Sequence, residues 1–200
     1  MKFLNLRMSR LLAAALLLVL AGCSAVGVIE SSDPMVKLQQ SDEMIRQGRY
    51  TRAQQLYREA LEIFQARNDQ AGVAETYRNL SFFYRTPLPS NRMAIVPNDF
   101  SGMTNGIETR YYISIDYAKK ALAIFESLQA YDKISNVHFT MGQSYFLLFN
   151  DKQSACQAFR DSREATRKSR AKDPNLQVNL PQGYKTFEEV LDKAEQEAGC

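Results

Sequence analysis

One block of this chain returns 61 residues later. Gly48-Arg49-Tyr50 leads into Ala53, Tyr57, Ala60-Leu61 and Ile63-Phe64, and Arg110-Tyr111 leads into Ser114, Ala118, Ala121-Leu122 and Ile124-Phe125, an offset of 61 from Tyr50 to Tyr111. The stretch preceding each block keeps the same offset of 61, with Leu80, Ser81 and Tyr84 answered by Met141, Gly142 and Tyr145. A chain that repeats itself stacks its copies, because a single copy cannot bury its own apolar face. Within a block the spacing is helical. Ala53, Tyr57, Ala60 and Phe64 fall at steps of four, three and four, on one helix face. Tyr77, Leu80, Ser81 and Tyr84 behave in the same way. Ser81, Gly142, Ala53 and Ala60 are small enough to let another helix approach. Tyr57, Tyr84, Tyr145 and Phe159 are large enough to fill the space beside them. The absence of Trp and the low glycine count suit helices.

Small and large residues alternating at helix contacts resemble the tetratricopeptide repeat, a helix-turn-helix unit of about 34 residues. Gly48-x-Tyr50-x-x-Ala53-x-x-x-Tyr57-x-x-Ala60-Leu61 resembles the second half of that motif. Asn79-Leu80-Ser81-x-x-Tyr84 and Met141-Gly142-x-x-Tyr145 resemble the first half. The resemblance covers residues 35–170 as three units and implies an all-α short solenoid. It departs at Gln40-Ser41 and Met44 in the first unit, and at Ser162-Arg163 in the third, where Ala-Leu is usual. The 61-residue offset exceeds one unit by about 27 residues, so the second unit carries an insertion at about 86–108. Arg85-Thr86-Pro87-Leu88-Pro89-Ser90 and Val96-Pro97-Asn98-Asp99 break any helix there. A loop of this length is either functional or without fixed structure, and sequence leaves both open.

Residues 171–200 read as a linker and a capping helix. Thr186-Phe187-Glu188-Glu189 is a capping box. Phe187, Val190, Leu191 and Ala194 form an apolar face that would cover the open end of the stack.

The amino terminus has a separate role. Lys2, Arg7 and Arg10 precede an apolar run from Leu11 to Ala21, which is shorter than the roughly 20 residues a spanning helix needs. A basic start, a short apolar stretch and small residues describe a secretory signal. Leu20-Ala21-Gly22-Cys23 resembles the lipobox of bacterial lipoproteins. That resemblance implies cleavage after residue 22 and lipidation of Cys23. Several acyl chains on one residue anchor stably. Ser24 is the residue that implies sorting to the outer membrane, facing the periplasm. Residues 23–34 would then be a lipidated tether. Lys2, Arg7 and Arg10 are the only charges in residues 1–22 and account for the whole formal charge of +3. The remaining chain is close to neutral, which gives no argument for nucleic acid. Cys156 and Cys200 are then the remaining cysteines, in an oxidising compartment. Sequence leaves open whether they pair or stay as two thiols.

No catalytic constellation is present in the sequence, and the reading is of a protein that is not an enzyme and uses no cofactor. The single histidine, His138, corresponds to Tyr77, a helix-packing position. No metal-ligand spacing, phosphate loop or nucleophile motif occurs. Glu59, Glu62, Asp161 and Glu164 have basic neighbours and read as solvated faces.

The repeat resemblance implies binding instead. The first helix of each unit lines an inner groove, which here comprises Leu38, Asp42, Ile45, Arg78, Phe82, Arg85, Phe139, Gln143 and Phe146. Some repeat domains grip a C-terminal carboxylate with Lys and Asn at matching positions, and those types are missing from those positions here. An aromatic groove with two arginines suits an apolar segment bearing an acid. The expected partner is another envelope protein or a peptide segment of one. A self-associating structural protein is the alternative, and a peptidoglycan-active enzyme a weaker one.

Overall fold

The computed structural model describes residues 30–86, 107–178 and 180–200, with backbone alone for 107 and 108. The signal segment 1–22, Cys23, most of the tether and nearly all of the insertion lie outside the described residues. Seven helices are described and no strand. They are α1 (Pro34–Arg46), α2 (Tyr50–Ala66), α3 (Gln70–Arg85), α4 (Ile107–Ser127), α5 (Tyr131–Phe149), α6 (Lys152–Lys172) and α7 (Phe187–Ala198).

Local chemistry sets where the helices begin. Asp33, Asp69 and Asp151 accept hydrogen bonds from the backbone N–H groups of Met35, Gly72 and Ser154 at 2.8, 2.9 and 3.0 Å. Each satisfies a donor that a helix start leaves free. Pro34 opens α1, where its missing N–H costs nothing. The capping box closes as expected on one side, with Glu189 N–H donating to Thr186 Oγ1 at 3.2 Å. The return bond comes from Lys185 N–H to Glu189 Oε2 at 2.8 Å, one residue earlier than the motif prescribes. Short turns with a left-handed residue reverse the chain: Gly48, Asn68, Gln129 and Asn150 have φ of 70, 55, 51 and 51°.

The helices pack in sequential pairs, α1 with α2, α3 with α4 and α5 with α6; the turns at Gly48 and Asn150 close the first and third pairs, and those at Asn68 and Gln129 lead from one pair to the next. The pairs stack in order. The first helices also touch along the stack, α1 to α3, α3 to α5 and α5 to α7, whereas the second helices have no comparable contact with one another. The first helices therefore form the inner row. The architecture is an all-α, repeat-like stack, in which α7 occupies the place that the first helix of a next pair would take.

Small residues permit the approach. Ala53 and Ala60 are fully buried in α2. Ser114 Oγ donates to Ser81 O at 2.7 Å, joining α4 to α3. Ser162 Oγ donates to Ser135 O at 2.8 Å in the same manner between α6 and α5. Ser162 thus replaces an expected alanine with an interhelical bond. Tyr57, Tyr84 and Phe159 are each buried, as their place in the pattern requires. His138 is half-buried on α5, and burial holds its imidazole below its ordinary pKa.

The linker after α6 runs from Asp173 to the cap residue Thr186, and α7 packs on α6 and α5. Phe159, Ala155, Leu191 and Ala198 form its buried contact, with Phe187 and Ala194 beside them. Arg163, the other departure from the repeat pattern, reaches α7 and pairs with Asp192 and Glu195 at 2.8 Å each. A disulfide joins Cys156 on α6 to Cys200 just beyond α7, with Cα atoms 5.6 Å apart.

Candidate functional site

The inner row exposes a smaller surface than the repeat pattern implies. Three expected groove residues are elsewhere. Leu38 is buried, 4% exposed, because it belongs to the stripe Pro34, Lys37, Leu38, Ser41 and Met44 that α1 turns into the stack. Phe139 packs between Phe159 and Phe187, with ring centroids 5.9 and 5.4 Å away. Phe146 joins the same cluster. Both phenylalanines face the place of a following helix, and α7 fills that place. They are cap contacts, not groove residues.

The remaining positions stay accessible in part. Asp42 is exposed and accepts a hydrogen bond from Tyr57 Oη at 2.7 Å. Burial, and then that bond, push the Tyr57 hydroxyl well above the ordinary tyrosine range. Ile45 is half-buried. Phe82 is 50% exposed on α3. The Arg85 guanidinium lies over its ring, 5.1 Å from the centroid. Arg85 Nη1 donates to Gln143 Oε1 on α5 at 2.8 Å. Among the described residues no carboxylate pairs with Arg85, and its Nε has no hydrogen-bond partner. Burial pulls its pKa below the ordinary arginine value. Phe82, Arg85 and Gln143 are thus brought together by α3 and α5, and Leu147, 66% exposed, lies one turn beyond Gln143 on α5.

Arg78 lies elsewhere along α3. Its Nε donates to Glu75 Oε2 at 2.7 Å, and Lys133 Nζ reaches Glu75 Oε1 at 3.0 Å. Burial alone would raise the Glu75 carboxyl, but Arg78 and Lys133 outweigh it and hold the group below its ordinary pKa. Arg78 also lines a cavity of about 310 Å³. Its other walls include Lys133 and Asn136 at the start of α5, Arg170 on α6, Leu176 and Val178 of the linker, and Phe187 of α7.

The sequence reading missed this cavity. Glu75 and Asn136 carried a signal, since they are equivalent under the 61-residue offset and lie one turn before Arg78 and Phe139. Arg170 and the linker carried none, because they fall outside the repeat pattern.

No protein-family model and no curated protein matches this chain. Among the described residues no helix is long and apolar enough to cross a membrane.

Proposed function

We propose that this protein is a lipid-anchored, tetratricopeptide-like adaptor of the bacterial cell envelope. It holds a segment of another envelope protein against the inner row of its helices. It performs no catalysis, and its lipid on Cys23 places it at the outer membrane facing the periplasm. The step from a repeat-like stack to an adaptor role is an analogy of fold. The observation that carries the reading is the Arg85 site. A half-buried guanidinium stacked on an exposed Phe82, held by Gln143 and with no carboxylate partner among the described residues, is a cation prepared for an acid. Aromatic and arginine side chains of this kind dominate binding energy at protein interfaces.

Crosslinking in cells, followed by identification of the captured protein, tests the reading. Phe82→Ala and Arg85→Ala abolish capture of the specific partner, and Arg46→Ala on α1 does not. Capture that persists in both inner-row variants overturns it. For the anchor, Cys23→Ser moves the protein from the detergent phase to the aqueous phase on temperature-induced separation. Retention in the detergent phase overturns the lipid assignment.

A further inference from the structure

The cavity beside Arg78 is built differently from the Arg85 site. Its walls carry three cations, Arg78, Lys133 and Arg170, and one acid, Asp132. Two carboxylates that fix those cations stand outside the lining. Glu75 holds Arg78 and Lys133, and Glu188 holds Arg170 at 2.6 Å. Glu75 engages only Nε of Arg78, and Glu188 only Nη2 of Arg170, so each guanidinium keeps further N–H donors without a described partner. Cations held from behind are positioned before a ligand arrives, which reduces what binding must order. Leu176, Val178 and Phe187 supply the apolar part of the lining. Leu176 and Val178 are 39 and 46% exposed, and no described residue hydrogen-bonds to the backbone of Gln177 or Val178. The volume, about 310 Å³, falls at the lower end of ligand sites, about 300–1,000 Å³.

We infer that this cavity is a second recognition subsite, taking a carboxylate flanked by an apolar residue from an extended peptide. The carboxylate meets Arg78 and Arg170, and the apolar neighbour lies against Leu176, Val178 and Phe187. The backbone of Gln177 and Val178, which has no hydrogen-bond partner among the described residues, runs alongside the ligand main chain. The subsite exists because the linker and α7 close the end of the stack, so it rests on features outside the repeat motif. The inference rests on the adaptor reading and specifies the chemistry of the partner: acidic and apolar residues adjacent in sequence.

The test uses full-length protein in detergent and fluorescein-labelled nonapeptides of Gly and Ser. One peptide carries a central Leu-Glu-Leu and a C-terminal amide. A second replaces that Glu with Gln. A third keeps the Gln and ends in a free carboxylate after Leu. Fluorescence anisotropy shows saturable binding of the first or the third peptide, which identifies a side-chain or a terminal carboxylate as the source. The second binds at least about tenfold more weakly. Arg78→Gln and Arg170→Gln each weaken the bound peptide by about tenfold, with unchanged helical circular dichroism, and Arg46→Gln leaves it unchanged. Binding of no peptide, equal binding of the Gln peptide, or indifference to both arginine variants overturns the subsite. The adaptor reading is judged separately by capture with the Phe82 and Arg85 variants, so either can fail alone.

Discussion

A Cβ placed on Gly142 would lie 2.5 Å from Cε1 of Phe159. The α5–α6 contact is therefore closed by a glycine under an aromatic ring, both of them buried. A methyl group there forces the ring or the helix to move. Better helix propensity returns about 1 kcal/mol to Gly142→Ala, whereas overpacking costs about 1–3 kcal/mol. Thermal melts are expected to rank wild type above Gly142→Ala and Gly142→Ala above Gly142→Val. An alanine variant that melts higher than wild type would show that the ring has room to spare.

The disulfide between Cys156 and Cys200 closes a segment with a sequence separation of 44 residues around the linker and α7. Loop-closure entropy predicts that Cys156→Ser with Cys200→Ser lowers stability by about 2–4 kcal/mol, the range typical of such bridges. Denaturant titration of the double variant measures this. In unreduced protein, a thiol reagent leaves both cysteines unmodified, and mass spectrometry showing either one labelled without reduction refutes the bridge.

Arg163 fastens the same helix through Asp192 and Glu195. Asp192 is largely exposed, so solvent screens part of this pairing. Arg163→Ala is expected to cost about 1 kcal/mol or less in global stability. Its clearer effect is faster amide hydrogen exchange in residues 187–198, with α1–α4 unchanged. Uniform exchange across all helices would mean that Arg163 does not act through the cap.

His138 is the single histidine, and burial lowers its pKa from the ordinary value of 6.5. A depressed folded pKa means that the unfolded chain binds the proton more readily. The stability held by neutral His138 is thus complete above about pH 6.5 and declines as pH falls from there through the folded pKa. Comparing melts at neutral and mildly acidic pH, His138→Gln should flatten this decline. If wild type and variant lose stability in parallel, the imidazole is not responsible.

Much of the helical framework was legible because it depends on local chemistry and on period. Ala53, Tyr57, Ala60 and Phe64 announce a buried face through spacing alone, and all four are buried. The site was less legible. The repeat resemblance implied one groove holding both Phe82 and Phe139, yet Phe82 is half exposed and Phe139 packs under Phe187. The two are not equivalent positions, since the 61-residue offset matches Phe82 to Gln143 and Phe139 to Arg78. Phe139 lies on the stretch of α5 that α7 covers, and α7 stands outside the repeat pattern. Ser162 and Arg163 looked like lapses in the repeat. In three dimensions they bond to Ser135 and to the acids of α7.

The sequence by itself therefore determined the helices, their caps and turns, their order in pairs, and which residues were small enough to allow close packing. These depend on neighbours within a turn or two of the chain. Only the tertiary structure decided which inner-row side chains remain open, that Cys156 meets Cys200, and that Arg78, Lys133 and Arg170 surround one cavity with Leu176 and Val178. Those outcomes depend on the path of a linker that has no period to read, and on what lands across a helix face once the stack has closed.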